Sequence, residues 1–403
     1  MYKSILTIFN LIIKKKLKFN LIKKSEVLFL EGNYSNLSFK NYRVGVLDSN
    51  QIYFFYFFKA FLFYFLKNKK KLNLIHLYKQ ILYRSSNAKL AIDHNLTGRA
   101  PELKKLCPEI KIIIYQVGFF EPYNKLILSL RKLISSNYKA SDFFFIFSKT
   151  ELPTIKKIGL NINKKIITAG SVKNNERPII LKKKIYDIMY ISQYITPGSD
   201  FNHVYQKKKI SNPNIGLINH NKDEAFIMKT IGEYCKKYKK KSVIALRSLR
   251  KGRYNKFNLN HEVDHIEKAL KKKFMITYKS SWDLADESKL IVTNCSTMGF
   301  ELRSRGLNVL FLPLENNISK KYGVDKQNNL FPQKNEINIC REYNKELIFK
   351  KINFLLNLNK KFKKSPHFKR QINLLEYDEN NQKLKKLVSA LLLNKKIRFK
   401  NEI

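Results

Sequence analysis

Cysteine is scarce in this chain: Cys107, Cys235, Cys295 and Cys340 are four residues among 403, widely spaced and without a CxxC pair. A disulfide scaffold is excluded, and the thiols fit a reduced, cytosolic setting. Long apolar runs are missing too. The nearest, Gln51 to Leu66, falls short of the roughly 20 residues that a spanning helix needs, and Lys59 interrupts it. A helix packed on a sheet, or one lying at a membrane surface, fits it better. Met1 to Phe19 holds a short apolar stretch followed by Lys14 to Lys16, the wrong order for a secretory leader. Acidic residues are few: 31 against 79 Lys and Arg, a formal net charge of +48. Such an excess invites a nucleic-acid reading. However, the lysines are spread through the whole chain, and no RNP, KH, zinc-finger or helix-turn-helix pattern accompanies them. A specific nucleic-acid partner is therefore not expected, whereas an anionic nucleotide or an anionic membrane surface would be attracted.

What is present is alternation. Apolar strand-like runs fall at Glu26–Leu30, Tyr42–Leu47, Ala88–Asn95, Ile110–Gly118, Asp142–Phe147 and Lys165–Gly170. Helical stretches separate several of them, including Leu74–Arg84 and Pro101–Cys107. After a polar, basic linker the pattern restarts with strands at Tyr186–Ser192, Ser242–Arg247, Phe274–Tyr278, Leu290–Thr293 and Val309–Leu312, and helices at Lys222–Tyr238, His261–Lys273 and Trp282–Asp286. Strands alternating with helices predict parallel α/β units. The expected division is a basic and apolar segment 1–24, a Rossmann-like domain 25–175, a linker 176–184, a second Rossmann-like domain 185–345 and a helical tail 346–403.

Open parallel sheets bind ligands at the carboxyl ends of their strands. At that edge of the second domain stands the loop Asn294 to Gly299, followed by a helix that Gly306 should close. Free N–H groups at a helix start favour an anion, and Ser296 and Thr297 add hydroxyl donors. Met298 and Gly299 complete the loop, and Glu301 lies one turn on. The plainer alternative is an N-cap in an ordinary βαβ turn. Arg247 and Arg250 follow another strand and suit a diphosphate, or simply a solvated loop. Gln193 and Tyr194 end the first strand of this domain, where they would meet a base or sugar, or pack. In the first domain, Asp93 and His94 end a strand and are of the types that remove a proton from a hydroxyl. Asn95, Gln116, Gly118, Asn174 and Asn175 also stand at strand ends, where turn chemistry is the alternative. His261-Glu-Val-Asp-His265 matches the H-E-x-x-H of zinc peptidases. Asp264 stands where those helices are apolar and no third ligand is evident, so a polar surface helix is expected and no metal.

In this order, the segments Ile92-Asp-His-Asn95, Tyr115-Gln-Val-Gly118, Asp142-Phe-Phe-Phe145, Gly170 to Asn175, Ile191-Ser-Gln-Tyr194, Cys295-Ser-Thr-Met-Gly-Phe-Glu301 and Tyr377-Asp-Glu-Asn-Asn381 resemble a bacterial family of O-antigen and surface-carbohydrate biosynthesis proteins. The likeness spans roughly residues 25 to 393. It departs at His94, Val117 and Cys295, where the family usually has Asn, Asn and Asp. The resemblance implies a GT-B-like fold, two Rossmann-like domains facing across a cleft with a C-terminal helical tail. It implies a glycosyltransferase-like role in cell-surface polysaccharide or lipopolysaccharide; from the cysteines and the charge, a cytoplasmic location is expected, with the inner face of the cytoplasmic membrane as the alternative. The donor would lie on Ser296, Thr297, Met298, Gly299, Glu301, Arg247, Arg250, Gln193 and Tyr194, and a glycan or lipid-linked acceptor near Asp93, His94, Asn95, Gln116, Gly118, Asn174 and Asn175. No DxD pattern ends a strand, so metal-independent transfer is expected, with the nucleotide-sugar as co-substrate and no further cofactor. The alternatives are a CDP-polyol or sugar-phosphate transferase of similar fold, and a non-catalytic, membrane-associated polyanion binder.

Overall fold

The computed structural model describes residues 16–30, 39, 41–47, 51–66, 73–95, 97–117, 125–157, 159–160, 165–178, 180, 182–196, 213–249, 256–272, 275–294, 296–314, 337–358 and 375–395. They form two compact units. Unit 1 is 1–178 with 376–403, and unit 2 is 179–375.

Unit 1 carries β1 (Lys16–Lys18), β2 (Val27–Phe29), β3 (Val44–Val46), β4 (Gln51–Tyr53), β5 (Leu90–His94), β6 (Lys111–Tyr115), β7 (Phe143–Ile146) and β8 (Lys165–Thr168). Six of them make a parallel sheet in the order β3-β2-β5-β6-β7-β8, while β1 and β4 pair separately. The central positions of β2, β5, β6 and β7 are apolar because both sheet faces are covered. Leu28, Ala91, Ile112, Ile114 and Phe144 pack on one face against Leu103 and Leu82. Their chain neighbours Val27, Leu90, Ile113 and Phe143 face the other way, onto Leu384, Leu387 and Val388.

Unit 2 has β9 (Tyr186–Ile191), β10 (Ser242–Ala245), β11 (Ser288–Thr293) and β12 (Val309–Phe311). They form a parallel sheet in the order β10-β9-β11-β12. Ile188, Tyr190, Leu290, Val292 and Leu310 pack there with Ile227 and Tyr234 of the helix Pro213–Lys237 and with Ile348 and Ile352 of the helix Lys345–Leu356. Counted within the six-stranded and the four-stranded sheet, the first strand lies between the second and the third in both. The chain therefore leaves the first and third strands in opposite directions, which opens a crevice at their carboxyl ends. That switch point lies between β2 and β5 in unit 1 and between β9 and β11 in unit 2.

Several elements differ from expectation. Gln51–Leu66 begins as a strand before its helix, Phe54–Leu66. Pro101 is the third residue of the helix Arg99–Leu106, still within the first turn, where no intrahelical N–H is needed. The strand expected at Phe274–Tyr278 does not form over the described residues 275–278. Met275 is 90% exposed and Tyr278 74%, so β propensity had no sheet edge to join. The helix Lys125–Ala140 was not anticipated. The tail 346–403 is divided: Lys345–Leu356 packs in unit 2 and Gln382–Leu392 on the sheet of unit 1.

Candidate functional site

In unit 2, three loops leave the same sheet edge because the strands are parallel. Ser192 to Tyr194 follows β9, Leu246 to Ser248 follows β10, and Asn294 to Thr297 follows β11. The helix Thr297–Ser304 starts at Ser296, whose backbone has the extended capping conformation (φ −65, ψ 132) while its hydroxyl makes no capping bond. Thr297 is exposed, and Glu301 lies one helical turn on, half-buried. The end of the helix follows the sequence reading: Gly306, at φ +84, donates to Arg303 O and Leu307 to Leu302 O. Met298 and Gly299 are buried in the packing beneath the loop. A Cβ on Gly299 would meet Thr293 Cγ2 at 2.7 Å and Phe311 Cε1 at 2.9 Å. Glycine thus lets this helix lie close on β11 and β12, and its N–H is donated to Ser296 O (2.8 Å).

The β9 and β10 loops are bound together by a carboxylate that the zinc pattern had drawn attention to for another reason. Glu262 is completely buried, although the helix that carries it lies at the surface, with Phe257, Asn260 and Asp264 exposed. Its Oε1 accepts from Ser192 Oγ (2.5 Å) and Arg247 N (2.9 Å), and its Oε2 from Ser248 N (2.8 Å). His265 stacks on Tyr194 at 4.7 Å, and His261 packs against Phe257. The two histidines and the glutamate are thus engaged in packing and loop closure, and no group of three metal-binding side chains occurs among the described residues. The Arg247 guanidinium donates to Gln193 O (2.9 Å) and Tyr194 O (3.2 Å). Any phosphate it holds must share the guanidinium with these carbonyls. Arg250 lies outside the described residues.

A second buried carboxylate supports the β9 loop. Glu224 Oε2 accepts from Gln193 N at 2.8 Å, and His220 Nε2 donates to Gln193 O at 2.9 Å. Burial pushes the Glu224 carboxyl from 4.5 up to about 8, against the pull of Tyr190 and the Gln193 amide. Burial also lowers His220, which stays neutral. The folded state therefore holds a proton on Glu224 that the unfolded chain gives up near its ordinary value. Stability from this group is full below that value and is lost as pH rises towards 8. Glu224→Gln should flatten this dependence. In thermal melts at about pH 5.5 and about pH 8.5, the variant should gain on the parent by several degrees at the higher pH only. An equal offset at both would contradict the assignment.

In unit 1, Asp93 and His94 both belong to β5, opposite Ile114 and Tyr115 of β6. Consecutive strand residues point to opposite faces, so the two side chains do not converge. Asp93 is buried, accepts from the Thr97 hydroxyl and has its carboxyl raised by desolvation. His94 is half-buried, its ring 6.1 Å from that of Tyr115. The amide side chains mostly tie one segment of unit 1 to another. Asn95 Oδ1 accepts from Val117 N (2.8 Å). Gln116 donates to Glu151 Oε1 (2.8 Å) and accepts from Phe147 N (3.0 Å). Asn175 donates to Ala169 O and Asn381 Oδ1 and accepts from Asp378 N. Asn174 is buried, its N–H on the Ser171 hydroxyl that caps the short helix Val172–Asn175. Gly118 lies outside the described residues. Sequence reasoning missed Ser192, Ser248, Glu224, His220 and Thr97. Only Glu262 carried a signal, the H-E-x-x-H match.

Two doubly wound units with switch-point loops of this chemistry define a GT-B-like α/β protein. The chain belongs to the family described as "putative O-antigen biosynthesis protein", whose model matches residues 113–392. No curated protein matches the sequence. Among solved structures, the chain is similar to a "putative UDP-N-acetylglucosamine 2-epimerase" from Listeria monocytogenes (10% identity, 95% of this chain and all of that one, TM-score 0.52). It is also similar to S. aureus MnaA solved with UDP (12% identity, 96% and 100%, TM-score 0.50). At such identities the likeness is one of fold.

Proposed function

We propose that the chain is a glycosyltransferase of cell-surface polysaccharide biosynthesis. It would move a sugar from a nucleotide-sugar to a glycan or lipid-linked acceptor, working at the inner face of the cytoplasmic membrane. The observation that carries this is the start of the helix Thr297–Ser304: a serine hydroxyl not used for capping and an exposed threonine at the amino end of a helix, beside the unit 2 switch point. That is the environment a diphosphate requires. Unit 2 would take the donor, with Glu301 on a sugar or ribose hydroxyl and Gln193 and Tyr194 towards the base. Unit 1 would take the acceptor.

In the reaction, an acceptor hydroxyl oxygen bonds to the anomeric carbon and the bond from that carbon to the diphosphate oxygen breaks. The proton would pass to a base at the end of β5, for which the half-buried His94 is more accessible than the buried Asp93. Negative charge developing on the diphosphate is met by the helix N–H groups, Ser296, Thr297 and Arg247.

The epimerase names of the similar structures support a second reading, in which the nucleotide-sugar is rearranged without an acceptor. Incubating the protein with nucleotide-sugars, with and without a membrane-lipid extract, separates the two. Nucleoside diphosphate released only with the extract supports transfer. An altered sugar still joined to its nucleotide, formed without the extract, would replace it with epimerisation.

A further inference from the structure

The helix Phe54–Leu66 is built the wrong way round for a soluble surface. Turning by about 100° per residue, Phe54, Phe55, Phe58, Phe61, Leu62, Phe65 and Leu66 fall on one face, and all of them are exposed. Phe55, Phe58 and Phe65 are each about half open, and Leu66 is 81% exposed. The opposite face, with Tyr56, Phe57, Ala60 and Tyr64, meets the core of unit 1. The patch continues into the segment after β1, where Phe19 (62% exposed) lies 5.2 Å from Phe54. With roughly 150–250 Å² per aromatic side chain, this leaves apolar surface on the order of 500 Å², at the upper end of what a monomeric protein shows without a use for it.

The charges beside the patch in sequence have one sign. Lys59 sits at its edge and is exposed, as are Lys23 and Lys24 close to Phe19 and Leu21 in sequence. Lys14 to Lys16 precede the patch in sequence and Lys67 and Lys69 to Lys71 follow the helix, with no acidic residue between Leu11 and Lys24 or between Gln51 and Lys71. Thirteen residues of helix extend about 20 Å, too short to cross the hydrocarbon layer, and no described helix is long and apolar enough to span. A helix with an open aromatic face and a cationic rim lies in the interface, its rings at the acyl boundary and its lysines among the headgroups.

We infer that the exposed face of Phe54–Leu66, with Phe19 and its flanking lysines, docks unit 1 onto an anionic lipid bilayer. This deepens the proposed function by giving it a surface that would bring the chain to a lipid-linked acceptor. It does not depend on the donor loop, since vesicle binding and nucleotide binding are separate readouts.

The test is co-sedimentation of the full chain with vesicles of phosphatidylcholine alone or with about 30% phosphatidylglycerol. The parent should bind the anionic vesicles about tenfold or more tightly than the neutral ones. Phe58→Glu with Phe65→Glu should lose about tenfold or more on anionic vesicles while keeping the parent's thermal melt, since neither residue is buried. Lys59→Glu should weaken binding by a smaller factor and spare the melt. Unchanged binding by the double variant would overturn the proposal, and so would a parent that ignores anionic vesicles. A parent dimer that the double variant splits, without vesicle binding by either, would assign the face to a second copy instead.

Discussion

Gly170→Ala releases the C-terminal helix from unit 1 and costs about 3 kcal/mol or more. Gly170 sits at φ +73 and bridges Tyr377 across an antiparallel contact. A Cβ there would lie 1.8 Å from Glu376 O, which is backbone and cannot rotate aside. Beyond this contact the helix Gln382–Leu392 buries Leu384, Leu387 and Val388 on the sheet. Moving the strap therefore uncovers apolar surface as well as straining one residue. Gly306→Ala is the control. Its φ is +84, but nothing lies within 4 Å of the added carbon, so only the left-handed strain of about 1 kcal/mol remains. Urea unfolding of both variants, with limited proteolysis to follow the tail, checks this. The prediction fails if Gly170→Ala is no worse than Gly306→Ala and the tail stays protected.

Glu262→Ala should destabilise unit 2 by about 3–5 kcal/mol, because a buried hydroxyl, a buried N–H and a half-buried N–H lose their acceptor together. Ser192→Ala removes one donor and leaves the carboxylate its two backbone partners, so about 1 kcal/mol is expected. Denaturant melts of the two variants give the comparison. A zinc-site reading of His261-Glu-Val-Asp-His265 predicts another pattern: melting of the parent lowered by chelator, with Glu262→Ala close to the parent in stability. That outcome would overturn the clamp. Nucleotide affinity should fall in Glu262→Ala even where the chain is still folded, since the β9 and β10 loops lose their common anchor.

The sheets were legible because strands buried on both faces are apolar at every position, as in Ile112–Ile114 and Phe143–Ile146. The edge of the sheet that carries Ser192 and Ser296 followed from strand direction alone. What residues do at that edge was less legible, because their partners are remote in sequence. The segments Gly170 to Asn175 and Tyr377 to Asn381 stood out as motifs, yet nothing local indicated that Asn175 bonds Asn381, 206 positions away. The Asn and Gln side chains assigned to an acceptor are of the kind that also satisfies backbone and side-chain partners, and Asn95, Gln116 and Asn175 tie together segments far apart in sequence. Glu224 lies in an amphipathic helix and Glu262 in a mostly polar one, and the H-E-x-x-H match that singled out Glu262 pointed to a metal rather than to a carboxylate turned inward. Conversely, Phe274–Tyr278 has strand composition without a neighbour to pair with, which only the sheet order reveals.

The central claim is that the start of the helix Thr297–Ser304 holds the diphosphate of a nucleotide-sugar. Titration calorimetry at moderate salt with UDP-, GDP-, CDP- and dTDP-sugars, on the parent and on Ser296→Ala with Thr297→Ala, addresses it directly. One nucleotide class should bind the parent, and the double variant should lose about tenfold to a hundredfold in affinity at an unchanged melting temperature. Binding that the double variant retains in full, or no binding of any class to the parent, would contradict the claim.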